Sequence, residues 1–329
     1  MLETFLNWFG DAQQWLFESA IQPLLFHVGA ASVIADAYNG TGWLLAGILQ
    51  IVIMLLLIAP LQRWRPAEAV SPTPERKRAI RADVIYTLIH RLGVFRVAVF
   101  FAIEPLWNAL FGWLAVHGVD GWHLDQAIAP WWPGVTDTAL VGFLAYLIVF
   151  DLIDYWLHRG QHHFDAWWAL HALHHSQRHM TMWTDNRNHL LDDLVRDLIL
   201  ALVARAIGVA PEQFMALVVV GRMLESLSHA NVRLSFGRVG QRLLVGPKFH
   251  RVHHGIGIGH ESGGQGTLGG HNFAVLFPVW DMLFGTARFD VPTGPTGIRD
   301  QLPEHGGRDY GEGFWAQQRL GLLRLFGRA

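Results

Sequence analysis

The chain has 329 residues, of which 51% are hydrophobic and only 16% are charged. Since soluble domains carry about 25% charged residues, this composition indicates a membrane protein rather than a cytosolic one. The formal net charge of −2 gives no reason to expect a nucleic-acid partner, and the absence of cysteine excludes disulfides, iron–sulfur clusters and thiolate zinc sites.

The N-terminal part of the chain predicts a surface helix followed by a membrane span. Residues 1–60 contain no Lys or Arg, so we expect no secretory signal peptide, which needs a basic first segment. Residues 1–17 are aromatic but interrupted by polar side chains, a pattern typical of a helix at a membrane surface. Residues 41–61 are almost uninterruptedly apolar and long enough to cross a bilayer, so we predict a transmembrane helix there.

Further apolar stretches follow along the chain. Residues 86–116 and 138–157 predict two more spans, and residues 190–207 with 211–227 predict a helical hairpin that enters the membrane and returns. The predicted fold class is therefore all-α, a polytopic membrane protein of about four transmembrane helices. The alternative is that these stretches are core helices of a large soluble enzyme.

The charge of the loops predicts how the spans are oriented. Residues 62–81 contain six Lys or Arg side chains, whereas residues 117–137 contain none. Since basic loops stay on the cytoplasmic side, residues 62–81 should be cytoplasmic, and the N-terminus and residues 117–137 should lie outside. We expect an integral protein of a bacterial inner membrane, with the residues that follow the third span facing the cytoplasm.

These predictions divide the chain into three parts. Residues 1–137 form an N-terminal membrane region, with the surface helix and the first two transmembrane helices. Residues 138–290 form a histidine-rich domain, and residues 291–329 form a C-terminal tail in which no motif suggests a role.

Histidine is concentrated in three short motifs: HRGQHH (158–163), HALHH (171–175) and HRVHH (250–254). On a helix, residues three and four apart share a face, so each motif can turn several imidazole nitrogens toward one metal ion. The same spacing favours His162 over its neighbour His163. The ligands predicted from these motifs are His158, His162, His171, His174, His175, His250, His253 and His254.

Eight histidines exceed the four to six ligands of one first-row ion, so the motifs predict two ions held in a helical cap on the cytoplasmic side. Nitrogen ligands suit iron, zinc, copper or nickel. A structural zinc site has about four ligands, so this larger set favours a catalytic metal site over a structural one. Asp154 lies one turn before His158, and Glu225 one turn before His229. Each carboxylate is a candidate to accept the outer N–H of that histidine, or is a helix-surface acid.

The order of the motifs resembles that of a known family. They are DLIDYWLHRGQHHF (151–164), ALHALHHS (169–176), NRNH (186–189), SHANV (228–232), FHRVHH (249–254) and NFAVLFPVWDMLFGT (272–286). As a set they resemble the fatty acid hydroxylase and sterol desaturase superfamily of integral-membrane di-metal enzymes. The resemblance implies two non-haem iron ions that use O2 to hydroxylate or desaturate a C–H bond of a lipid. It also adds His229 to the predicted ligands, and His189 as a ligand or a close neighbour.

The function predicted is O2-dependent hydroxylation of a membrane lipid, which could be a sterol, a fatty acyl lipid or another lipid. Desaturation at the same site is one alternative. Another is that the protein is a structural relative of these enzymes that has lost catalytic activity. The rival from a different class is a histidine-rich metal transporter or sensor. No flavin, dinucleotide or haem motif appears, so we expect a separate electron donor, a ferredoxin or a cytochrome with its reductase. Zinc could replace iron in purified protein, and no motif indicates an oligomeric state.

Overall fold

The computed structural model describes residues 2–70, 72–119, 121–265, 267 and 269–329. Within these ranges the chain forms helices and no β-strand, which confirms the all-α prediction. The α-helices are α1 (Leu2–Leu16), α2 (Gln22–His27), α3 (Ile34–Ile53), α4 (Ala59–Trp64), α5 (Pro74–Arg91), α6 (Val94–Val116), α7 (Leu124–Ile128), α8 (Ala139–His163), α9 (Asp165–His175), α10 (Leu190–Ala206), α11 (Pro211–His229), α12 (Gly237–Leu243), α13 (Pro247–His253), α14 (Val279–Leu283) and α15 (Phe314–Leu325).

Two helices are long and apolar enough to cross a membrane. One is continuous from Ala31 to Trp64 and includes α3, the π-helical turn Met54–Ile58 and α4, and the other is α8. Leu56 and Leu57, in the π-helical turn, are 68% and 61% exposed. Adjacent exposed leucines are expected where lipid rather than water surrounds a helix. These two helices correspond to the first and third predicted spans.

The other two predicted spans remain predictions. Residues 86–116 do not form one helix, because α5 ends at Arg91 and α6 begins at Val94. Gly93, between them, has a φ of 78°, a left-handed conformation that favours glycine. The apolar part of α6, Phe101–Val116, is shorter than the about 20 residues of a full span. The predicted hairpin corresponds to α10 and α11, which carry charged residues.

The chain separates into two compact units. The first contains the chain through Ile53 together with Leu88–Phe111. In it, Phe17 packs edge-on against Tyr38 at 5.3 Å between ring centroids, and Gln13 donates a hydrogen bond to the Tyr38 carbonyl. Gly47 allows α3 to approach the end of α5 closely, because a Cβ atom there would lie 1.6 Å from the Arg91 carbonyl oxygen.

The second unit contains Met54–Thr87 and Gly112–Ala329, and it carries all three histidine motifs. An apolar core lies among α8, α10 and α11, with Tyr146, Phe150 and Leu200 buried in it. After α8 the chain folds back into α9, a turn for which Gly160 makes room against the Trp167 ring. The two helices therefore bring the first two histidine motifs side by side.

The C-terminal residues pack over α9. Arg324 in α15 donates a hydrogen bond to the Ala169 carbonyl at 3.2 Å, and Ile298 and Tyr310 form a buried cluster with Ala172. The segment that follows residue 290 is thus part of the second unit, where it covers the outer side of the helix that carries the second histidine motif.

A buried ion pair connects α5 with the segment after α9. Asp83 is fully buried and accepts hydrogen bonds from Arg187 at 3.0 Å, Gln177 at 2.6 Å and Thr184 at 3.0 Å. Because both oxygens of the carboxylate are satisfied, the charge can stay in the interior. This network fixes the loop that leads from α9 to α10.

A tight turn at Asn272 directs two backbone carbonyls toward the histidines. Asn272 is the one non-glycine residue with positive φ (61°) in the described part of the chain. Its side chain donates to the Phe249 and Arg288 carbonyls and accepts from the Arg288 N–H, which holds the strained conformation in place. Asp281 secures the next residues by accepting from the backbone N–H groups of Phe273 and Ala274.

Candidate metal centre

Nine histidines converge in the second unit from four helices. α8 supplies two, α9 three, α11 one, and α13 with its C-terminal cap three. Four of them form what we call the first group, His158, His162, His171 and His175, and four form the second group, His174, His229, His250 and His254. His253 forms a third set with His175 and His254, which links the two groups.

The ring nitrogens lie at the spacing of neighbouring ligands on one ion. The Nε2 atoms of His162 and His175 are 3.0 Å apart, and the Nε2 atom of His229 lies 3.1 Å from that of His174 and 2.9 Å from that of His250. Two nitrogens that each bind one ion at 2.0–2.1 Å are separated by roughly 2.9–3.4 Å. The arrangement therefore fits metal ions with several imidazole ligands each.

Backbone carbonyls fix which nitrogen of several rings carries the proton. The Nδ1–H of His158 donates to the Phe273 carbonyl at 2.7 Å, and that of His162 donates to the Gly269 carbonyl at 3.1 Å. His253 donates in the same way to the His271 carbonyl at 2.7 Å. A carbonyl only accepts, so each Nδ1 must hold the hydrogen and each Nε2 must present a lone pair. His229 follows the same rule with the Glu225 carbonyl at 2.8 Å.

In the first group, a carboxylate and not a backbone carbonyl holds the Nδ1–H of one histidine. Asp192 in α10 accepts from the Nδ1 of His171 at 3.1 Å through one oxygen, and from Gln161 and Trp167 through the other. Asp192 was not among the predicted residues. Its position in the first turn of a helix, where acidic residues are common, gave no sign that it faces a histidine 21 positions earlier.

Burial keeps these imidazoles in the form that binds metal. Removal from water lowers the pKa of His174, His175, His250 and His254 well below its ordinary value, and neighbouring imidazoles lower it further. Burial likewise lowers the pKa of His253 to about 3. All five rings are therefore neutral at pH 7, as metal ligation requires.

His189 lies outside these groups. It caps α10 through its Nδ1, which accepts the Leu191 N–H at 3.1 Å, while its Nε2 donates to the Gln318 carbonyl at 2.9 Å. With both nitrogens engaged, no lone pair is left for a metal. His163, the alternative to His162, is exposed at the end of α8.

The two carboxylates predicted to hold histidines contact arginines instead. Asp154 pairs with Arg196 at 2.9 Å, and the Nδ1 of His158, its expected partner, bonds a carbonyl. Glu225 pairs through its side chain with Arg196 and Arg222, and only its backbone carbonyl reaches His229. Spacing of one helical turn placed these acids near the histidines but did not fix where their side chains point.

Aromatic rings close the centre from solvent. Phe273 is fully buried, with its ring centroid 5.3 Å from that of His162 and 5.7 Å from that of His253. Trp168 lies 5.0 Å from His162 by the same measure. These rings surround the first group with apolar surface.

The part of the chain that contains the histidine motifs is similar in sequence to known proteins. Residues 143–286 match the family model described as fatty acid hydroxylase. This region is similar to the fatty acid hydroxylase family. The chain is 26% identical to an ornithine lipid hydroxylase of Rhizobium tropici over 240 residues, which are 73% of this chain and 66% of that relative.

Alkylglycerol monooxygenases match a shorter stretch. The protein of Danio rerio is 27% identical over 51% of this chain and 33% of its own length, and the protein of Homo sapiens is 26% identical over 48% and 32%. The chain thus spans just under two thirds of the first relative and about a third of the others. No solved structure matches the chain.

Replacing Asp192 with asparagine should weaken metal binding in the first group. The substitution removes the negative charge that holds the His171 N–H, and loss of such an orienting partner costs about 10–100-fold in metal affinity. Competitive titration of purified protein with a chelator measures the change. Asp197→Asn, five residues further along α10, serves as the control and should leave the affinity unchanged. Equal affinities for both variants would contradict the role of Asp192.

The buried imidazoles should make the stability of the metal-free protein depend on pH. Because their folded pKa values lie below 6.5, the unfolded chain takes up protons that the folded protein rejects as the pH falls below 6.5. Stability is complete above pH 6.5, and each such histidine lowers it by about 1.4 kcal/mol per pH unit below that, for His253 down to a pH of about 3. Thermal unfolding of chelator-treated protein at pH 8 to 5 tests this, and a Tm that does not fall below pH 6.5 would contradict it.

Proposed function

We propose that the protein is a membrane hydroxylase that uses O2 to insert one oxygen atom into a C–H bond of a lipid. The observation that carries the proposal is the convergence of nine imidazoles: two groups of four, and His253, which links them. The fatty acid hydroxylase model that residues 143–286 match, and relatives named as an ornithine lipid hydroxylase and alkylglycerol monooxygenases, support a lipid as the substrate.

The donor set fits two iron ions, one for each group. Imidazole nitrogen is a suitable ligand for iron, whereas zinc, which also accepts it, has no redox chemistry. Iron held by these histidines would supply the redox chemistry that passes the donor's electrons to O2. In the overall reaction, one oxygen atom enters the C–H bond and the other leaves as water, with two electrons from the donor protein and two protons. A ferredoxin, or a cytochrome with its reductase, is the class of donor required.

The chain's own residues prepare the site for this reaction. The carbonyls of Gly269, His271 and Phe273 keep a proton on the Nδ1 of three rings, so that the opposite nitrogens stay available. Phe273 and Trp168 keep bulk water away from the first group, which limits unproductive consumption of O2.

Membrane placement suits a substrate whose chains stay dissolved in the bilayer. The two apolar helices support membrane insertion, and the basic segment 62–81 supports a cytoplasmic metal centre with the N-terminus outside. In that orientation the centre lies at the C-terminal end of α8, on the cytoplasmic side, where it can receive electrons from a soluble donor.

The test is metal content combined with product analysis. Protein purified from iron-rich culture should contain two iron ions per chain that Mössbauer spectroscopy detects as a coupled pair. With a ferredoxin and its reductase it should add 16 mass units to a lipid, with the label of ¹⁸O2 in the product. Loss of two mass units would indicate desaturation instead. Two iron ions without any oxidised lipid would overturn the proposal, and a single labile ion would favour a metal transporter or sensor.

A further inference from the structure

One side of the short helix α14 exposes apolar side chains. Val279, Met282 and Leu283 occupy positions i, i+3 and i+4, so they share one face of the helix, and Leu283 is 67% exposed. Asp281, on the other side, is fully buried and anchors the helix in the protein. An apolar face of this kind indicates a surface that contacts something other than water.

Hydrogen bonds to α8 set the height of α14 along that longer helix. The Asp151 carboxylate accepts from the backbone N–H groups of Leu276 and Phe277 at 2.8 and 2.9 Å, and from the ring N–H of Trp280 at 2.9 Å. Asp151 precedes His158 by seven residues, which is about 10 Å along an α-helix. α14 therefore begins beside the part of α8 that precedes the histidine motif, within the third predicted span.

The exposed side of α8 ends close to this height. Leu140, Leu144 and Ile148 are exposed at intervals of four residues, and Trp156 continues the row two turns further on. The Arg159 guanidinium lies 5.1 Å from the centroid of the Trp156 ring. An apolar row that ends in tryptophan followed by arginine is typical of a membrane span that reaches the interface with water.

α14 contacts the end of this row. The ring of Phe284, the C-terminal cap of α14, lies 4.9 Å from the Trp156 ring and stacks on the Tyr155 ring at 5.3 Å between centroids. Trp156 and Phe284 are both exposed on their outer sides. The exposed face of α14 is therefore continuous with the apolar side of α8, and this continuity favours lipid as what covers α14.

The segment that leads into α14 has protein partners for its backbone polar groups. Asp151 accepts from the N–H groups of Leu276 and Phe277, and the Leu276 carbonyl accepts from the Val245 N–H at 2.8 Å. Non-helical backbone at membrane depth is tolerated where protein supplies such partners, since hydrocarbon offers none. At these positions the segment meets that condition.

We propose that α14 lies in the membrane leaflet nearer the metal centre and places Val279, Met282 and Leu283 among the acyl chains beside α8. The inference rests on the membrane insertion of α8 proposed above and not on the hydroxylase chemistry. In this position α14 fixes the depth of the second unit. His158 follows Trp156 by two residues, so the first histidine group then begins at the level of the lipid head groups.

Single cysteines test the contact, because the chain has no cysteine of its own. Leu283→Cys is compared with Leu144→Cys, about 18 Å deeper along α8, and with Glu304→Cys, exposed in the C-terminal segment that packs on α9. Each full-length variant carries one fluorescent dye and is placed in phosphatidylcholine vesicles. The vesicles contain nitroxide groups either on the acyl chains near the head group or at the chain ends, and nitroxide quenches a dye that it touches.

The dye at Leu283 should be quenched at least about twofold more by nitroxide near the head group than by nitroxide at the chain ends, as expected of an interfacial helix. The dye at Leu144 should show the reverse order, and the dye at Glu304 should respond to neither. Val279→Cys, on the same face of α14, should repeat the result for Leu283. Unchanged thermal unfolding of each labelled protein shows that the variants are folded.

Three outcomes would overturn the inference. A dye at Leu283 that responds no more than the dye at Glu304 would place α14 in water. An apolar emission spectrum at Leu283 without quenching would show that protein, such as a second copy of this chain, covers the helix. No quenching at Leu144 either would remove α8 from the membrane as well. None of these results depends on iron or on lipid oxidation, so the hydroxylase function stands or fails by its own test.

Discussion

His174→Ala should remove the metal ion of the second group, and His158→Ala should remove the metal ion of the first group. Each variant should therefore contain about one iron ion per chain in place of two. Hydroxylation should fall more than about 100-fold in both, because losing a ligand exceeds the effect of losing a residue that only orients one. Both histidines are buried mainly against other imidazoles, so the helices should still assemble. Iron analysis and lipid product formation measure the two effects.

The control for these variants comes from the same motif. His163 follows His162 directly but is exposed, so His163→Ala should retain both ions and full activity. Normal iron content in His158→Ala and His174→Ala would show that the two groups are not metal sites.

Asp83→Ala should have the largest effect on stability. It leaves the Arg187 guanidinium, 4% exposed, without its carboxylate partner, and breaking a buried ion pair in this way costs about 3–5 kcal/mol. Gln177 and Thr184 lose an acceptor in the same step. Thermal unfolding of the purified protein in detergent measures the loss.

A double substitution distinguishes the cause. Asp83→Leu with Arg187→Met removes both charges and should recover much of the lost stability, as replacement of a complete buried ion pair by apolar residues often does. If the double variant is as unstable as Asp83→Ala, the network matters through its hydrogen bonds with Gln177 and Thr184 and not through the buried charge.

The sequence named all eight members of the two groups, seven through the spacing of the three histidine motifs and His229 through the family resemblance. It could not show that His189 is a helix cap. That role depends on Gln318, which reaches it from 129 residues away. Nor could local spacing separate Asp154 from Asp192, since the arginines that pair with Asp154 and Glu225 lie on other helices or other turns.

For the fold, too, the sequence showed what depends on one segment and missed what depends on contacts between segments. Apolar runs identified α8 and the helix from Ala31 to Trp64, since hydrophobic length is a property of the segment itself. The break at Gly93 within a predicted span was missed, because a single glycine is tolerated inside many helices. The carbonyls that hold His158 and His253 carry no side-chain signature at all and become visible only in three dimensions.

The turn at Asn272 has a consequence for how the two ions bind. The carbonyl before it holds His253 and the carbonyl after it holds His158, so one strained residue positions rings that serve different parts of the centre. An ion that fixes the ring of His253 or His158 also fixes the turn at Asn272. The second ion then binds a ring whose conformational entropy has already been lost. Metal uptake should therefore be cooperative, with the second ion binding more tightly than the first.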